Sequence, residues 1–470
     1  MTVEEKFCVS NKYFGTDGFR GETGVDLTSS QAYRVGRFLG WYYISELSEG
    51  KVTGYRPRVV IGKDTRLSSY TLEYAIAAGL TASGADAYML HVTTTPSVSY
   101  VTLKDGFDCG IMITASHNRF CDNGIKIINR NGEKIDDMTA SLIEAYIDGD
   151  TSKLGISGDL PFATGEDIGR IVDYVAGRNR YIAYLISLAS HSYKHMRIGL
   201  DCANGAAWSI ASAVFGALGA KVYQIGAEPD GLNVNANCGS THPEKLQRLV
   251  KEERLDIGFA FDGDCDRCIA LDERGEIVDG DGILYVLAKR LRSRGMLNGN
   301  AVASTVMSNG GLSASLAAIG IGCVETAVGD RFVFEALQKG DLALGGEQSG
   351  HIIIKKYATS GDGLLTAIML CEELCDRKAP LSSLCRGLRL YPQITKNLRV
   401  SNQDAVMEDP AVRAVLCEVE SEIGGEGRVI LRKSGTEPMI RVMVESQSVD
   451  RCNAFAERIA KKISERGYTL

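Results

Sequence analysis

Short apolar runs alternate with alanine- and leucine-rich stretches along most of the chain. Three of the apolar runs lead into polar loops that contain glycine or asparagine, at residues 58–66, 197–205 and 301–310. Each loop is followed by a stretch of helical composition, at residues 70–83, 208–218 and 312–319. Strands that alternate with helices in this way predict α/β domains with mostly parallel sheets.

A second apolar run follows each helical stretch, starts near an aspartate and ends in a loop of reactive side chains. These runs cover residues 108–118, 256–264 and 341–351. The pattern thus occurs three times, and ligands of parallel α/β sheets bind at the carboxyl ends of the strands. We expect three similar domains whose loops surround a shared cleft, although three independent domains with ordinary loops fit the same pattern.

The chain beyond residue 387 follows a different pattern. Strand-like runs at residues 393–400, 428–432 and 439–445, a glycine-rich turn at 424–427 and a helical stretch at about 449–466 predict a smaller domain. The expected fold class is therefore α/β: three similar α/β domains with mixed, mostly parallel sheets, plus a smaller α+β C-terminal domain, around a central cleft. We place the domains at residues 1–170, 171–275, 276–385 and 386–470.

Composition narrows the classes of function. Hydrophobic residues make up 44% of the 470 residues, charged residues 24%, and the formal net charge is −7. This balance suits a folded protein that binds no nucleic acid, since nucleic-acid binders carry a basic surface. No apolar run approaches the roughly 18 residues of a membrane span, and the N-terminus lacks the apolar core of a secretory signal. We therefore expect a cytoplasmic protein with no membrane partner.

The cysteines agree with that expectation. There are 13 of them, an odd number, spread from Cys8 to Cys452. This distribution is typical of reduced thiols and not of a disulfide framework. Cys265 and Cys268 have the spacing of a redox or zinc pair, but no second pair completes a zinc site.

A cluster of acidic side chains follows the apolar run at residues 257–261. Asp262, Asp264 and Asp266 alternate with small residues, and in a loop their carboxylates can converge on one point. Converging carboxylates repel unless protons or a cation neutralise them, and Mg²⁺ is the usual hard cation with oxygen ligands. An EF-hand loop would need glycine where Arg267 stands, and an aspartyl-nucleophile phosphatase would need a downstream lysine and acidic pair that we do not find. A solvated acidic turn is the remaining alternative.

The loop at residues 114–118 follows the corresponding run of the first repeat. Ser116 and His117 are neighbours in it, and a serine hydroxyl beside a divalent cation can accept a phosphoryl group. Lys126, ten residues after Ser116, could donate or accept a proton, although a surface lysine fits the same position.

The third loop, at residues 346–351, places a carboxylate, an amide, a hydroxyl and an imidazole between glycines. Glu347, Gln348, Ser349 and His351 supply these groups. Such a set can hold the hydroxyls of a sugar through hydrogen bonds.

A fourth loop, near the C-terminus, combines groups that suit a phosphate dianion. Two hydroxyls, a glycine backbone and flanking guanidinium groups come from Arg432, Ser434, Gly435, Thr436 and Arg441. Arg20, between two glycines near the N-terminus, is a further candidate anion contact. A generic surface turn is the alternative for the fourth loop. Taken together, the loops suit phosphoryl transfer on a sugar phosphate.

In this order the motifs resemble those of the α-D-phosphohexomutase superfamily, over residues 13–445. They are FGTDGFRG, TASHN, DGDCDR, GEQSGH and RKSGTEPMIRVMVE. Within the superfamily the chain resembles the bacterial phosphoglucosamine mutases at Gln348 and at residues 12–17 and 328–331. Phosphomannomutase/phosphoglucomutase relatives usually carry methionine at the position of Gln348 and are the alternative, with a sugar-phosphate phosphatase as a further one.

The resemblance implies an isomerase that interconverts glucosamine 6-phosphate and glucosamine 1-phosphate. It implies that Ser116 is a phosphoserine and that a 1,6-bisphosphate is the intermediate. Mg²⁺ would be held by Ser116, Asp262, Asp264 and Asp266, and glucosamine or glucose 1,6-bisphosphate would be the phosphorylating activator. The expected partners are small sugar phosphates only, and a homodimer is one expected assembly.

The resemblance also implies roles for the other side chains. Lys126 would be the general acid/base, with His117, Arg20 and Arg267 beside the transferring group. Sugar hydroxyls would be held by Glu347, Ser349 and His351, and the phosphate that does not react by Arg432, Ser434, Gly435, Thr436 and Arg441. One departure is Arg119, which stands where the superfamily usually has proline, and it leads us to expect a less rigid serine loop.

Overall fold

The computed structural model describes residues 12–15, 17–48, 55–424, 427–433 and 439–470. The chain divides into two compact units. The first unit runs as far as Val306 and includes Val324–Leu384, and the second consists of Met307–Cys323 and Cys385–Leu470.

The first part of the first unit is a twisted sheet with helices on both faces. Its elements are β1 (Phe14–Gly15), β2 (Gly18–Glu22), α1 (Ser29–Ser48), β3 (Arg58–Lys63), α2 (Ser69–Ala82), β4 (Asp86–Val92), α3 (Thr95–Lys104), β5 (Cys109–Ile113), β6 (Asp122–Asn129), α4 (Asp137–Ile147), β7 (Ile171–Asp173) and α5 (Val175–Leu188). The strand order is β1-β2-β6-β5-β3-β4-β7.

Alternate residues of the central strands face two separate cores. Val59 and Ile61 of β3 pack in a large cluster with side chains of α1, α2 and α4. Val60 of β3 and Met112 of β5 point to the other face and pack with side chains of α3. Because both faces are covered, these strands are apolar between their ends, as buried parallel strands are.

Two further sheets follow. The next elements are β8 (Arg197–Asp201), α6 (Ile210–Ala217), β9 (Lys221–Ile225), α7 (Glu244–Glu253), β10 (Ile257–Phe261), β11 (Cys268–Leu271) and β12 (Ile277–Val278). They are followed by α8 (Gly280–Ser293), β13 (Ala301–Thr305), α9 (Gly310–Ala318), β14 (Gly322–Thr326), α10 (Asp330–Lys339), β15 (Leu344–Gly346), β16 (Ile352–Ile354), α11 (Gly363–Arg377) and α12 (Leu381–Leu384).

The three sheets share one strand order. It is β4-β3-β5-β6 in the first, β9-β8-β10-β11 in the second and β14-β13-β15-β16 in the third. In each, the two central strands are parallel and the last strand is antiparallel to its neighbour. The expected threefold repeat is thus confirmed, but each copy also holds elements that we did not predict. Among them are a further strand with a helix in each copy: β4 with α3, β9 with α7, and β14 with α10.

The C-terminal part of the second unit is an α+β fold. Its elements are β17 (Gln393–Arg399), α13 (Gln403–Glu408), α14 (Pro410–Ile423), β18 (Arg428–Lys433), β19 (Met439–Glu445) and α15 (Val449–Glu465). The strands form an antiparallel sheet in the order β17-β19-β18. One face of it packs on the helices through a core of valine and isoleucine side chains. The predicted fold class, three similar α/β parts and a smaller α+β part, is confirmed.

Two expectations from composition can be compared with these elements. Within the described ranges no helix is both long and apolar enough to cross a membrane. The cysteines of the same ranges are all free thiols, whereas Cys8 lies outside them.

Candidate active site

Three loops at equivalent positions of the three sheets carry most of the predicted site residues. They join β5 to β6, β10 to β11 and β15 to β16. Each loop therefore follows a buried parallel strand and leads into the antiparallel strand beside it. All three belong to the first unit, and side chains from the three loops contact one another there.

Ser116 lies in the first of these loops, the serine loop (residues 114–122), and is fully buried. Its φ is +52°, a left-handed conformation that a serine adopts only when its surroundings hold it. Its N–H donates to Thr114 Oγ1 at 2.9 Å. Its Oγ donates to Asp262 Oδ2 at 2.6 Å, so the hydroxyl points at the loop between β10 and β11.

That second loop, the acidic loop (residues 262–267), brings three buried carboxylates together. One oxygen from each of Asp262, Asp264 and Asp266 lies within 4.8 Å of the other two. Oδ1 of Asp264 and Oδ1 of Asp266 are buried and accept no hydrogen bond from any described residue. Burial and the neighbouring carboxylates, Asp266 and Asp264, raise the pKa of Asp262 well above its usual value.

These features fit a hard divalent cation. Opposite ligands of Mg²⁺ lie about 4 Å apart, close to the spread of the three oxygens. A cation would also provide a partner for the two carboxylate oxygens that lack one and would remove the repulsion that raises the pKa of Asp262. The donor set consists of oxygens alone, as magnesium and calcium prefer.

Lys126 reaches the acidic loop from β6, where it pairs with Met112 of β5. Its Nζ donates to Asp264 Oδ2 at 2.8 Å and to Asp266 Oδ2 at 2.9 Å, and Asp17 Oδ2 lies 3.2 Å away. Burial alone would lower the pKa of Lys126, but the three carboxylates outweigh it and raise the pKa well above the usual value. The buried lysine is therefore an ammonium group that can give up a proton only when these charges change.

His117 and Arg267 form a contact beside the serine hydroxyl. Arg267 Nη1 donates to His117 Nδ1 at 3.0 Å, and that nitrogen lies 3.3 Å from Ser116 Oγ. Burial, followed by the charges of Arg267 and Arg20, lowers the pKa of His117 to about 3. The imidazole is thus neutral at physiological pH. Arg20, on β2, donates to Asp17 through Nη2.

The third loop lies against the acidic loop through a buried histidine. His351 Nδ1 is 3.7 Å from Asp266 Oδ1, and its Nε2 accepts from the Gly361 N–H at 3.0 Å. Glu347 is half-buried and accepts from the Gly329 N–H at 3.2 Å, while Ser349 is exposed. Exposed or partly exposed polar groups beside the acidic loop are placed to meet a polar ligand.

The second unit holds the two arginines predicted for a phosphate. Arg432 on β18 and Arg441 on β19 are paired across the sheet, and the Nε of each is buried with no hydrogen-bond partner in the described ranges. Burial and the Arg441 charge lower the pKa of Arg432. An anion between them would offset the repulsion of these like charges. Ser434, Gly435 and Thr436, assigned to the same cradle, lie outside the described residues.

Comparison with known proteins identifies the family. The domain models of phosphoglucomutase/phosphomannomutase match in order: alpha/beta/alpha domain I at residues 11–153, domain II at 179–275, domain III at 279–391 and the C-terminal domain at 396–462. A protein of Lachnospira eligens named phosphoglucosamine mutase is 53% identical, over 98% of this chain and 100% of its own length. The chain belongs to the α-D-phosphohexomutase superfamily, in the phosphoglucosamine mutase family.

Solved structures of other superfamily members have the same fold. A phosphoglucomutase/phosphomannomutase family protein of Burkholderia thailandensis has a TM-score of 0.77 and 24% identity, over 97% of this chain and 99% of its own. The N-acetylphosphoglucosamine mutase of Aspergillus fumigatus, solved in complex with GlcNAc-6P and magnesium, has a TM-score of 0.66 and 18% identity, over 97% and 96% of the two chains.

Other residues of this phosphohexomutase site were not assigned a role from sequence. Asp17 lies within reach of Lys126 and also accepts from Lys134 Nζ at 2.6 Å, and Lys134 is in turn 2.6 Å from Asp330 Oδ2. Asp17 belongs to the FGTDGFRG motif, where its position three residues before Arg20 could have indicated that it contacts the site. Asp330 stands in the segment that pointed to the subfamily, but nothing in the sequence pairs it with Lys134.

Arg66 is a further unassigned residue. It is fully buried, and its Nε donates to Asp64 Oδ2 at 2.8 Å. Its two terminal nitrogens donate to backbone carbonyls of the serine loop, including that of Arg119. Arg119 itself has an exposed side chain. The residue that replaces the usual proline therefore sits in a loop whose carbonyls are held by another side chain.

Proposed function

We propose that the chain catalyses the phosphoglucosamine mutase reaction, the interconversion of glucosamine 6-phosphate and glucosamine 1-phosphate. The observation that carries this proposal is the buried Ser116 hydroxyl 2.6 Å from a carboxylate of a three-aspartate cluster. A nucleophile beside a cation site is what phosphoryl transfer through a covalent enzyme intermediate needs. The choice of the amino sugar rests on the relatives of that name, which favour it over the phosphomannomutase/phosphoglucomutase alternative.

In the first half of the proposed cycle, phospho-Ser116 gives its phosphoryl group to the free hydroxyl of glucosamine 6-phosphate. The bond between phosphorus and Ser116 Oγ breaks, a bond between phosphorus and the sugar oxygen forms, and the product is the 1,6-bisphosphate. The leaving Oγ needs a proton, and the Lys126 ammonium group is the proposed donor because the surrounding carboxylates keep it charged. The sugar hydroxyl loses a proton as it attacks, and this proton returns Lys126 to its ammonium form.

In the second half the bisphosphate presents its other phosphoryl group to Ser116. Transfer to Oγ restores phospho-Ser116 and leaves glucosamine 1-phosphate. Lys126 gives a proton to the leaving sugar oxygen and takes the proton that the serine hydroxyl loses, so it ends the cycle as an ammonium group. We propose that the dephosphorylated chain is first loaded by glucosamine or glucose 1,6-bisphosphate, which enters the same cycle at this step.

Mg²⁺ is the proposed cation, and Asp262, Asp264, Asp266 and an oxygen on Ser116 would hold it. When bound it would neutralise the charge of the transferring group. The magnesium in the Aspergillus fumigatus relative supports this choice of ion.

The remaining roles follow the same proposal. His117 Nδ1 lies 3.3 Å from Ser116 Oγ, and we assign the neutral His117, Arg267 and Arg20 the role of orienting the transferring group. Glu347 and Ser349 hold sugar hydroxyls, whereas the buried His351, predicted for the same contact, faces Asp266 and the Gly361 N–H and supports the acidic loop instead. Arg432 and Arg441, with Ser434, Gly435 and Thr436, hold the phosphate that does not react.

Three further expectations stay predictions. They are the domain boundaries at residues 1–170, 171–275, 276–385 and 386–470, a cytoplasmic location, and a homodimer. Light scattering of the purified chain would decide the last of these.

The test is a comparison of turnover on glucosamine, glucose and mannose 6-phosphates, each with its 1,6-bisphosphate and Mg²⁺. We expect the highest kcat/KM for glucosamine 6-phosphate and no net release of inorganic phosphate. Preference for mannose or glucose phosphate would favour the alternative mutase, and stoichiometric phosphate release would make the chain a phosphatase.

A further inference from the structure

Two backbone carbonyls of the serine loop each accept hydrogen bonds from two different side chains. Arg66 Nη2 donates to Ser116 O at 2.9 Å and to Asn118 O at 3.0 Å. Asn235 Nδ2 donates to the same two oxygens, at 2.8 Å and 2.9 Å. The peptide units at Ser116 and Asn118, on either side of His117, are therefore held from two directions.

The second donor comes from a different part of the chain. Asn235 lies between β9 and α7, and its N–H donates to Ala203 O at 2.8 Å in the loop after β8. Its φ is +57°, a left-handed value that asparagine tolerates better than most residues. Asn235 thus links the second sheet of the first unit to the serine loop of the first sheet.

The acidic loop touches the same carbonyl. A Cβ at Gly263 would lie 2.5 Å from Ser116 O and 3.2 Å from Asn235 Nδ2, so only glycine allows this approach. Ser116 O, the Asn235 amide and the backbone of the acidic loop therefore meet at one point. A shift of this carbonyl would turn the Ser116 side chain relative to Asp262.

We propose that Asn235 is a positioning residue for phosphoryl transfer: its amide holds the left-handed serine loop so that Ser116 Oγ faces the acidic loop. The proposal rests on the proposed function and deepens it. The Asn235 amide donates to backbone carbonyls of the serine loop, so it acts on the angle and distance of the transfer. A misplacement of about 1 Å at a reacting centre can cost on the order of a hundredfold in rate.

The decisive variant is Asn235→Asp. Aspartate keeps the size of the side chain and tolerates the left-handed backbone, but it replaces the amide donor with an oxygen that faces two carbonyl oxygens. We expect kcat on glucosamine 6-phosphate to fall roughly ten- to a hundredfold, with KM within about twofold of the wild type, since substrate contacts are unchanged.

Asn237→Asp is the matched control. Asn237 lies two residues further along the same loop, has a φ of +54° and is exposed. It undergoes the same change of charge in the same backbone conformation. We expect its kcat and Tm to equal those of the wild type.

A second variant separates loss of the donor from the new negative charge. Asn235→Gly keeps the left-handed backbone and removes the amide, and we expect kcat to fall about tenfold with KM retained. The wild type itself tests the proposed function: without mutase turnover that proposal fails. When the wild type is active, two results would contradict the positioning role. One is a wild-type kcat in Asn235→Gly, and the other is a loss of kcat in both Asn235 variants that only parallels a fall in Tm.

Discussion

The serine loop and the acidic loop occupy equivalent places in two copies of one fold. Each follows a fully buried parallel strand and precedes an antiparallel one. Each contains a residue other than glycine in the left-handed conformation, Ser116 with φ +52° and Cys265 with φ +60°. One topology thus delivers a hydroxyl from the first sheet and three carboxylates from the second to the same point.

The two loops differ in what holds their backbones. In the acidic loop the carbonyls of residues 263, 264 and 265 accept from the N–H groups of Ala206 at 2.7 Å, Thr95 at 3.0 Å and Gly363 at 3.0 Å. All three donors are backbone groups, and Thr95 and Gly363 are the first residues of α3 and α11. Among point substitutions, only one by proline removes such a backbone donor.

The serine loop also has a backbone donor, the Thr23 N–H at 3.0 Å from Cys121 O, but around Ser116 it relies on side chains. Its carbonyls accept from Arg66 and Asn235, each of which a point mutation can remove. The loop that carries the reacting hydroxyl is therefore the one whose geometry depends on particular side chains. Substitutions around it should therefore alter the rate of transfer, whereas substitutions around the acidic loop should alter the binding of the cation.

The largest expected effect is that of Ser116→Ala. The variant has no acceptor for the phosphoryl group, so we expect turnover to fall by on the order of 10⁴-fold or more. Intact mass after incubation with the 1,6-bisphosphate should show one phosphoryl group on the wild type and none on the variant. Three of the four proposed ligands remain, so Mg²⁺ should still bind with reduced affinity, and Tm should be retained because the acidic loop is held by backbone donors. Near-normal turnover in this variant would contradict the role of Ser116.

Asp264→Asn tests the proposed cation site in the acidic loop. It replaces a charged ligand oxygen with a neutral amide, so we expect Mg²⁺ affinity and turnover to fall together, roughly a hundredfold. The control is Asp272→Asn, a buried aspartate that follows β11 and lies outside the three-aspartate cluster. Titration of activity with Mg²⁺ after treatment with EDTA would measure both. Full activity of the wild type after exhaustive chelation would exclude a metal role for the acidic loop.

A smaller effect should separate the phosphate contacts from the sugar contacts. Arg441→Ala removes a charge-assisted hydrogen bond to a group that all substrates share, which should cost about 1.5–3 kcal/mol, or roughly ten- to a hundredfold in kcat/KM on every sugar. Lys396→Ala is the control, because this lysine lies in the same sheet and pairs with Glu457 at the surface.

Glu347→Gln should behave differently from Arg441→Ala. It alters a contact to ring hydroxyls, so the loss should vary among glucosamine, glucose and mannose phosphates. Steady-state kinetics of both variants on the three substrates would measure this. A uniform loss at Glu347 with a sugar-dependent loss at Arg441 would show that the two roles are exchanged.

Sequence patterns predicted the reacting side chains better than the supports of the loops. Ser116 and the three aspartates lie just after buried strands, so their apolar neighbours marked their positions. The role of Lys126, which lies within β6, came from the resemblance to the superfamily. Arg66 and Asn235 could not be assigned in this way, because their partners are backbone carbonyls and no side-chain pattern marks a carbonyl.

The strands that we missed have a related explanation. The outer strands β9 and β14 are only partly buried, so their residues do not form the continuous apolar run that identified the central strands. In β4 the apolar run is interrupted by polar residues, Asp86 at its start and His91 before its last residue. Edge position, which is a tertiary property, therefore hid β9 and β14.

We expect the smallest effect on turnover from Asp362→Asn. This variant also tests how the acidic loop is held. Asp362 caps α11, whose first N–H donates to the acidic loop at Cys265. Burial raises the pKa of Asp362 to about 6, against the opposing hydrogen bonds from the N–H of Leu365 and the hydroxyl of Tyr181. Because the folded pKa exceeds the unfolded value of about 3.9, the contribution of this group to stability is complete below pH ~4 and is lost as the pH rises through about 6.

Asparagine retains the cap and does not titrate. Between pH 4 and pH 8 the free energy of unfolding of the wild type should therefore fall by up to about 3 kcal/mol relative to that of Asp362→Asn. Urea unfolding of both proteins would measure this difference. Asp409→Asn is a control of opposite sign, since hydrogen bonds from Arg466 and Tyr468 lower the pKa of that capping carboxyl to about 2. This variant should lose stability relative to the wild type as the pH rises from 2 to 4. A difference for Asp362→Asn that does not change with pH would mean that the buried carboxyl is ionised without penalty, and that the backbone support of the acidic loop owes nothing to its protonation.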